Sequence, residues 1–323
     1  MVVVLLAFWG CGGSDPSGRE VGGPPAPEPV PAPAQSFLDA DGNLVIGDAG
    51  LEAALREISG VVEGPLAPAA LERFQTLTLN GKGVRDIGPL SELKHLKNLN
   101  LTGNQVEDLS PLSDLPGLEE LWLGQNNIAD LRPLAKLESL RVLEVHGNQV
   151  TDLSPLAGMR QLERLNLWKN GVVELSPIAG CTKLEHLDIR ENQVAGIGPL
   201  AGMSRLKVLM AGENQVRDLG PLRDLLQLER VLMGRNQVSD LSPLAGLRDL
   251  AELRLAYNQV QSVLPLAGLG KLEFLELRKN RVMDVSPLQG MESLKRVHLW
   301  DNPLSLESVA ALRRALPVSR ILF

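Results

Sequence analysis

The chain has 323 residues, 44% of them hydrophobic and 3% aromatic, with a formal net charge of -7 and a pI near 5.3. That acidic balance excludes the basic surface a nucleic-acid binder needs, and its two cysteines cannot supply a disulfide framework. No stretch from Ser14 onward is apolar enough to span a bilayer, while the length and hydrophobic content suffice for one large core.

Residues 1–11, MVVVLLAFWGC, form an apolar run ending in Gly-Cys. The run resembles the end of a bacterial lipoprotein signal peptide, which implies that Cys11 is lipidated and begins the mature protein. No Lys or Arg precedes it, and Phe8 and Trp9 are bulkier than the residues usual before such a cysteine. An apolar N-terminus without a targeting role is the alternative. Residues 12–36 hold five glycines and seven prolines and almost no large apolar side chain, which predicts a disordered tether. Lipid, tether and rigid domain together imply display on the cell envelope, with the membrane touched only through the anchor. Gly12 stands where the usual inner-membrane retention signal has Asp, so the outer membrane is the expected address, facing either the periplasm or the surface.

Residues 37–75 read as an N-terminal cap. Asp39–Asn43 (DADGN) begins like a calcium loop, but position 50, where the closing glutamate belongs, is Gly50, so the segment is read as a polar turn. Asp48–Ser59 has Leu51, Leu55 and Ile58 at helical spacing behind a capping Asp, and is expected to cover the first repeat.

Residues 76–304 are one unit copied end to end. Asn104, Asn126, Asn148, Asn170, Asn192, Asn214, Asn236, Asn258, Asn280 and Asn302 recur every 22 residues. Apolar residues precede nearly every Asn by five and three places, Val or Ile follows by two, and Ser-Pro-Leu or Gly-Pro-Leu lies beyond, which is the leucine-rich repeat pattern. Leu143 and Val145 alternate as in a half-buried strand. Pro155 rules out a long helix in the second half of its unit and favours a short turn or 3₁₀ segment. One unit cannot bury its leucines alone, so the units must stack on a shared core. With parallel strands about 4.8 Å apart, about eleven coils make a curved rod about 50 Å long, its strands on the concave side. The Asn column is expected to form a structural ladder to main-chain groups, and the Asp column from Asp86 to Asp284 to cap the following turn. Lys82 replaces Asn in the first coil, as terminal units permit. Cys181 falls at a buried repeat position and reads as a structural thiol. Residues 305–323 form the C-terminal cap: a helix from Ser305 to about Ala315, stopped by Pro317, then a strand within Val318–Phe323.

The unit NQVxDLSPLAGLxxLxxLxL resembles the 22-residue bacterial leucine-rich repeat class found in internalins and related surface proteins. The segment GLEAALREISGVVEGPLAPAALERFQTLTL is similar to the helical cap that precedes such arrays. The resemblance spans about residues 37–323. It implies an α/β solenoid, a right-handed superhelix with a parallel concave sheet, a helical N-terminal cap and a helix-strand C-terminal cap. The immunoglobulin-like domain and wall anchor with which internalins usually continue are not read in this sequence.

Side chains six, four, two and one places before each Asn point away from the core. Trp122, Trp168, Trp300, Tyr257 and Phe274 all fall there, as do His146, His186 and His298. Trp, Tyr and Arg are the residues that anchor interfaces. The expected ligand-binding set is Trp122, Glu144, His146, Trp168, Asp188, Arg190, Met210, Arg254, Tyr257, Arg278 and Trp300. Charges on this face are mixed and nearly balanced, with most cations from Arg230 onward, which suits a protein ligand better than a uniform polyanion. Aromatics that merely cover gaps between strands are the plainer alternative. No GxSxG, HExxH, paired CxxC or P-loop pattern occurs, and the histidines lie in different coils. The expectation is a monomeric, non-catalytic protein-recognition module without cofactor or metal. Glycan binding and a structural spacer are the alternatives.

Overall fold

The computed structural model describes residues 36–323; Cys11 and the rest of the expected signal and tether lie outside the described residues. Phe37–Phe323 form one compact unit. Twelve three-residue strands, β1 (Thr76–Thr78) through β12 (Arg320–Leu322), pair in chain order as one parallel sheet. Register is fixed at 22 residues from β1 to the eleventh strand, as in Leu121 opposite Leu143 opposite Leu165. The fold is a leucine-rich repeat solenoid.

Each coil follows from its sequence. In Val142–Glu144 only Leu143 points inward, and Leu143, Val145, Val150, Leu153, Leu156, Met159 and Leu162 are all essentially inaccessible. Pro155 sits in the first turn of a 3₁₀ segment, Ser154–Leu156, where its missing N–H is no loss. Leu153 precedes that segment, and the capping Asp lies one residue further out. Asp152 Oδ1 accepts from Ser154 N at 2.8 Å, an Asx turn rather than an ordinary N-cap. Ser262 makes a longer version of the same bond to Leu264 N, 3.3 Å. Cys181 is fully buried, and burial pushes its thiol up to about 11.

The Asn side chain reaches backward by one coil. Asn126 Nδ2 donates to Leu123 O in its own coil and to Leu101 O in the preceding one, while its Oδ1 accepts from Val106 N. The same set recurs from Asn104 to Asn302. This geometry explains Lys82, because the first coil has no predecessor to clamp. There Asn104 Oδ1 accepts from both Lys82 N and Val84 N, and Lys82 Nζ instead reaches Glu57 on the cap helix at 2.9 Å.

The helix α1 (Ala49–Ser59) buries Leu51, Ala54 and Leu55 and leaves Ile58 partly exposed. Asp48 joins it to the first coil: its carboxylate accepts from Leu51 N on the helix and from Arg85 N and Asp86 N on the coil. Partial burial pushes its pKa up, but these N–H donors outweigh it and hold the group below the ordinary carboxylate range. Asp39 closes a turn by accepting from Asp41 N and Asn43 N. At the other end α2 (Leu306–Ala315), capped by Ser305, buries Val309 and Leu312, and β12 continues the sheet.

Candidate functional site on the concave face

The residue before each Asn has positive φ in every coil from Gly81 to Asp301. Three of these positions are glycine (Gly81, Gly103 and Gly147). Gln125 and every coil from Lys169 onward carry a side chain there, including Tyr257 at φ 58°. A left-handed backbone costs a non-glycine residue about 1 kcal/mol, and such strain concentrates at functional sites. The strained column lies beside the concave strands and projects Lys169, Glu191, Glu213, Arg235, Tyr257 and Lys279 in succession.

The column two places before the Asn is equally uneven. It runs His146, Trp168, Arg190, Gly212, Gly234, Ala256, Arg278, Trp300. Three consecutive small residues between large ones open a depression of about 230 Å³, with Gly212, Gly234 and Ala256 at its base and Leu232 beside them. Trp168 and Arg190 wall one end, and Tyr257 and Arg278 the other. The sequence reading missed this floor because it searched the columns for large side chains. The signal lay in three consecutive small residues.

Several carboxylates expected to face solvent instead position arginines. Asp188 is 3% exposed and Glu276 8%. Asp188 accepts from Arg190 Nε and Nη2, and Glu276 from Arg278 Nε at 2.9 Å. The bond to Asp188 raises the Arg190 pKa further, so that charge is permanent. Glu252 binds both Arg230 and Arg254. Burial pushes the Glu252 pKa up, yet the two guanidiniums outweigh it and keep it low. The acid two places before each base on one strand face is the shared device. Asp188 thus lies buried behind Arg190 and holds its guanidinium. Glu144 is similar, accepting from Asn166 Nδ2 at 2.6 Å and lying 3.7 Å from His146 Nδ1.

Trp168 is the hub of the expected aromatic set. Its Nε1 donates to Glu191 at 2.9 Å, His146 stacks on it at 6.0 Å, and the Arg190 guanidinium lies 5.2 Å from its ring. Gly124 exists for this stack, since a Cβ there would lie 2.2 Å from the His146 ring. Tyr257 is surrounded by Arg235, Lys279 and Arg278, at 4.5, 5.0 and 5.5 Å from its ring. Phe274 is 6% exposed beneath Arg254 and Arg296. His186 and His298 are partly buried, which lowers both pKa values and favours neutral rings at pH 7. Trp168, Arg190, Arg254, Tyr257 and Arg278 therefore share one depression. Met210 pairs across the sheet with Leu232 beside that floor, His146 and Glu144 lie beyond Trp168, and Trp122 and Trp300 fall outside the lining. Among the described residues no group of three His, Cys, Asp or Glu side chains is gathered closely enough to hold a metal.

The family described as Leucine Rich repeats (2 copies) matches residues 75–114, 116–158 and 160–202. No curated protein sequence matches the chain. Among solved structures, an internalin (inlF) of Listeria monocytogenes is similar with a TM-score of 0.76 and 30% identity, over 85% of this chain and 88% of that one. A leucine-rich repeat protein of Leptospira interrogans is similar with a TM-score of 0.74 and 27% identity, over 80% of this chain and 69% of that one. Internalin C2 of Listeria monocytogenes is similar with a TM-score of 0.52 and 29% identity, over 80% and 93%.

Proposed function

Because the chain belongs to the internalin-like leucine-rich repeat proteins of bacteria, which are generally protein–protein interaction modules, we propose that it is a non-catalytic recognition protein. On this reading its concave face binds a protein. The observation that carries the reading is the three-coil depression with Trp168 and Arg190 at one end and Tyr257 and Arg278 at the other. Aromatic and arginine anchors around a floor of small residues suit a surface that is contacted by a protein. Glycan binding is less favoured, because stacking on a sugar needs a bare ring face. The Trp168 and Tyr257 faces are covered by cations.

The test is affinity capture from envelope fractions with the full chain, comparing wild type with Trp168→Ala/Tyr257→Gly. Glycine relieves the left-handed strain at 257 while loosening the unfolded chain, and Trp168→Ala forfeits the His146 stack and the Glu191 bond, so stability should fall by about 1–3 kcal/mol without unfolding the solenoid. Loss of a specific partner by a variant that still melts cooperatively is the expected result. Capture that survives both substitutions rejects the face.

The same proposal places the protein on the cell envelope, anchored through a lipid on Cys11. Its support is the apolar run ending in Gly-Cys and the proline-rich segment after it. A single acyl chain binds membranes weakly, so stable anchoring needs the several chains a lipidated N-terminal cysteine carries. Cys11→Ser should move the protein from the membrane to the soluble fraction; equal membrane recovery of both forms would sink the anchor.

A further inference from the structure

The chemistry of the depression specifies part of the ligand, on the premise that the concave face is the recognition surface. Its volume of about 230 Å³ is below that of an ordinary small-molecule pocket, so it suits a side chain of a larger ligand rather than a free metabolite. Arg190, Arg235, Arg254 and Arg278 line it together with Glu191, Glu213 and Glu276, and Glu213 and Glu276 pair with Arg235 and Arg278. Asp188 and Glu252, which hold Arg190 and Arg254, are not part of the lining, and Glu252 is shared with Arg230. Arg254 is engaged through Nε and Nη2, and no bond to its remaining guanidinium nitrogen appears among the described contacts. Leu232, with Met210 and Val208 on the neighbouring strand, gives the trough an apolar border.

We propose that this depression receives an aspartate or glutamate side chain from an extended segment of the protein partner, with an apolar residue of that segment resting on Met210 and Leu232. Guanidiniums fixed from behind by carboxylates lose little freedom on binding and present their free N–H groups to an incoming carboxylate. The whole protein is acidic at -7, yet from Lys169 to Asp301 this face carries Lys169, Arg230, Lys279 and Arg296 with the four lining arginines, eight cations against the six acids Asp188, Glu191, Glu213, Glu252, Glu276 and Asp301. That local excess of cations on an otherwise acidic protein favours an acidic segment at this half of the face, with an on-rate that falls as salt rises.

The experiment selects a random phage-displayed peptide library on the immobilised full chain, then measures the enriched peptides by fluorescence anisotropy. Two variants separate shape from charge. A Cβ at Gly234 meets Ala256 O at 3.4 Å, an ordinary contact, so Gly234→Leu fills the trough while leaving every charge in place. Arg254→Gln removes one cation but leaves Glu252 paired with Arg230. The expected result is enrichment of Asp or Glu beside an apolar residue. Binding should be lost in Gly234→Leu and weakened about tenfold in Arg254→Gln, the scale of one charge-assisted hydrogen bond. Circular dichroism melts should show both variants folded. Enriched peptides lacking an acid, or acidic peptides indifferent to Gly234→Leu, overturn this inference and leave the recognition reading standing. A library that yields no binder also overturns it, while the capture experiment, which uses folded partners, judges the recognition reading separately.

Discussion

Asn126→Asp should destabilise the solenoid by about 4 kcal/mol or more at pH 7, against about 3 kcal/mol for Asn126→Ala. Alanine deletes the partners of Val106 N, Leu101 O and Leu123 O in a residue 7% exposed, and each orphaned buried group costs about 1 kcal/mol or more. Aspartate keeps the acceptor for Val106 N. Its second oxygen, however, faces Leu101 O, Leu123 O and Gly124 O, where Asn presents Nδ2. An ionised carboxylate is both buried and set against carbonyl lone pairs there. Protonation turns the repelling oxygen into a donor, so the folded pKa of that group is raised. Its contribution is favourable below the unfolded-state pKa and is lost as pH rises through the folded one.

Asp48, Asp152, Asp240, Asp284 and Glu252 have depressed pKa values in both proteins, so the stability they provide is present above the unfolded carboxylate range, falls alike as they protonate and cancels from the difference, leaving the new carboxyl to set its pH dependence. The gap between wild type and Asn126→Asp should therefore narrow between pH 7 and pH 4.5 in urea titrations. A gap that stays constant or widens on acidification would show that the amide does not clamp two coils in the way its contacts indicate.

Much of this architecture was legible because it is periodic. The column of Asn104 to Asn302, the inward pair exemplified by Leu143 and Val145, Pro155 in its short turn and the capping residues Asp48 and Ser305 each encode a local rule that tertiary structure had no reason to override. The direction in which Asn126 reaches could not be read from spacing, because a ladder pointing either way has the same period. Only the contact to Leu101 O decides it, and with it the reason Lys82 is tolerated. The concave face was legible in part. Which columns face outward follows from two-residue alternation, so Trp168, Arg190 and Tyr257 could be named. Burial of Asp188 and Glu276 could not, since it depends on the arginines two places later folding back over them. The depression depends on what Gly212, Gly234 and Ala256 lack, and a glycine in a repeat resembles tolerance until its neighbours are seen in space. The left-handed column before each Asn was hidden for a related reason. Lys169, Glu191 and Tyr257 are not residues that announce positive φ, and the strain they carry is visible only in the backbone.

Removing residues 303–323 should lower the melting temperature by more than about 10 °C and make the protein self-associate. Stacked coils share their cores with neighbours alone, so an end coil has stability only from one side. The cap buries Val309, Leu312, Leu316 and Ile321, and each buried side chain of this size is worth about 1.5–3 kcal/mol. Their loss approaches the whole stability margin of an ordinary domain. Removal also strips the eleventh strand, Arg296–His298, of its partner β12 and leaves Leu299 N without Leu322 O. The freed edge then presents open backbone groups above Val297 and Leu299, a template for a second chain. The damage should travel inward, because loosening the last coil withdraws the Asn302 bonds to Val282 N and Leu277 O. Light scattering with calorimetry decides it: a truncated protein that stays monomeric and melts within about 2 °C of the full chain would mean that the Asn ladder alone closes the stack. Leu312→Lys, which spoils the cap without deleting the strand, should fall between the two.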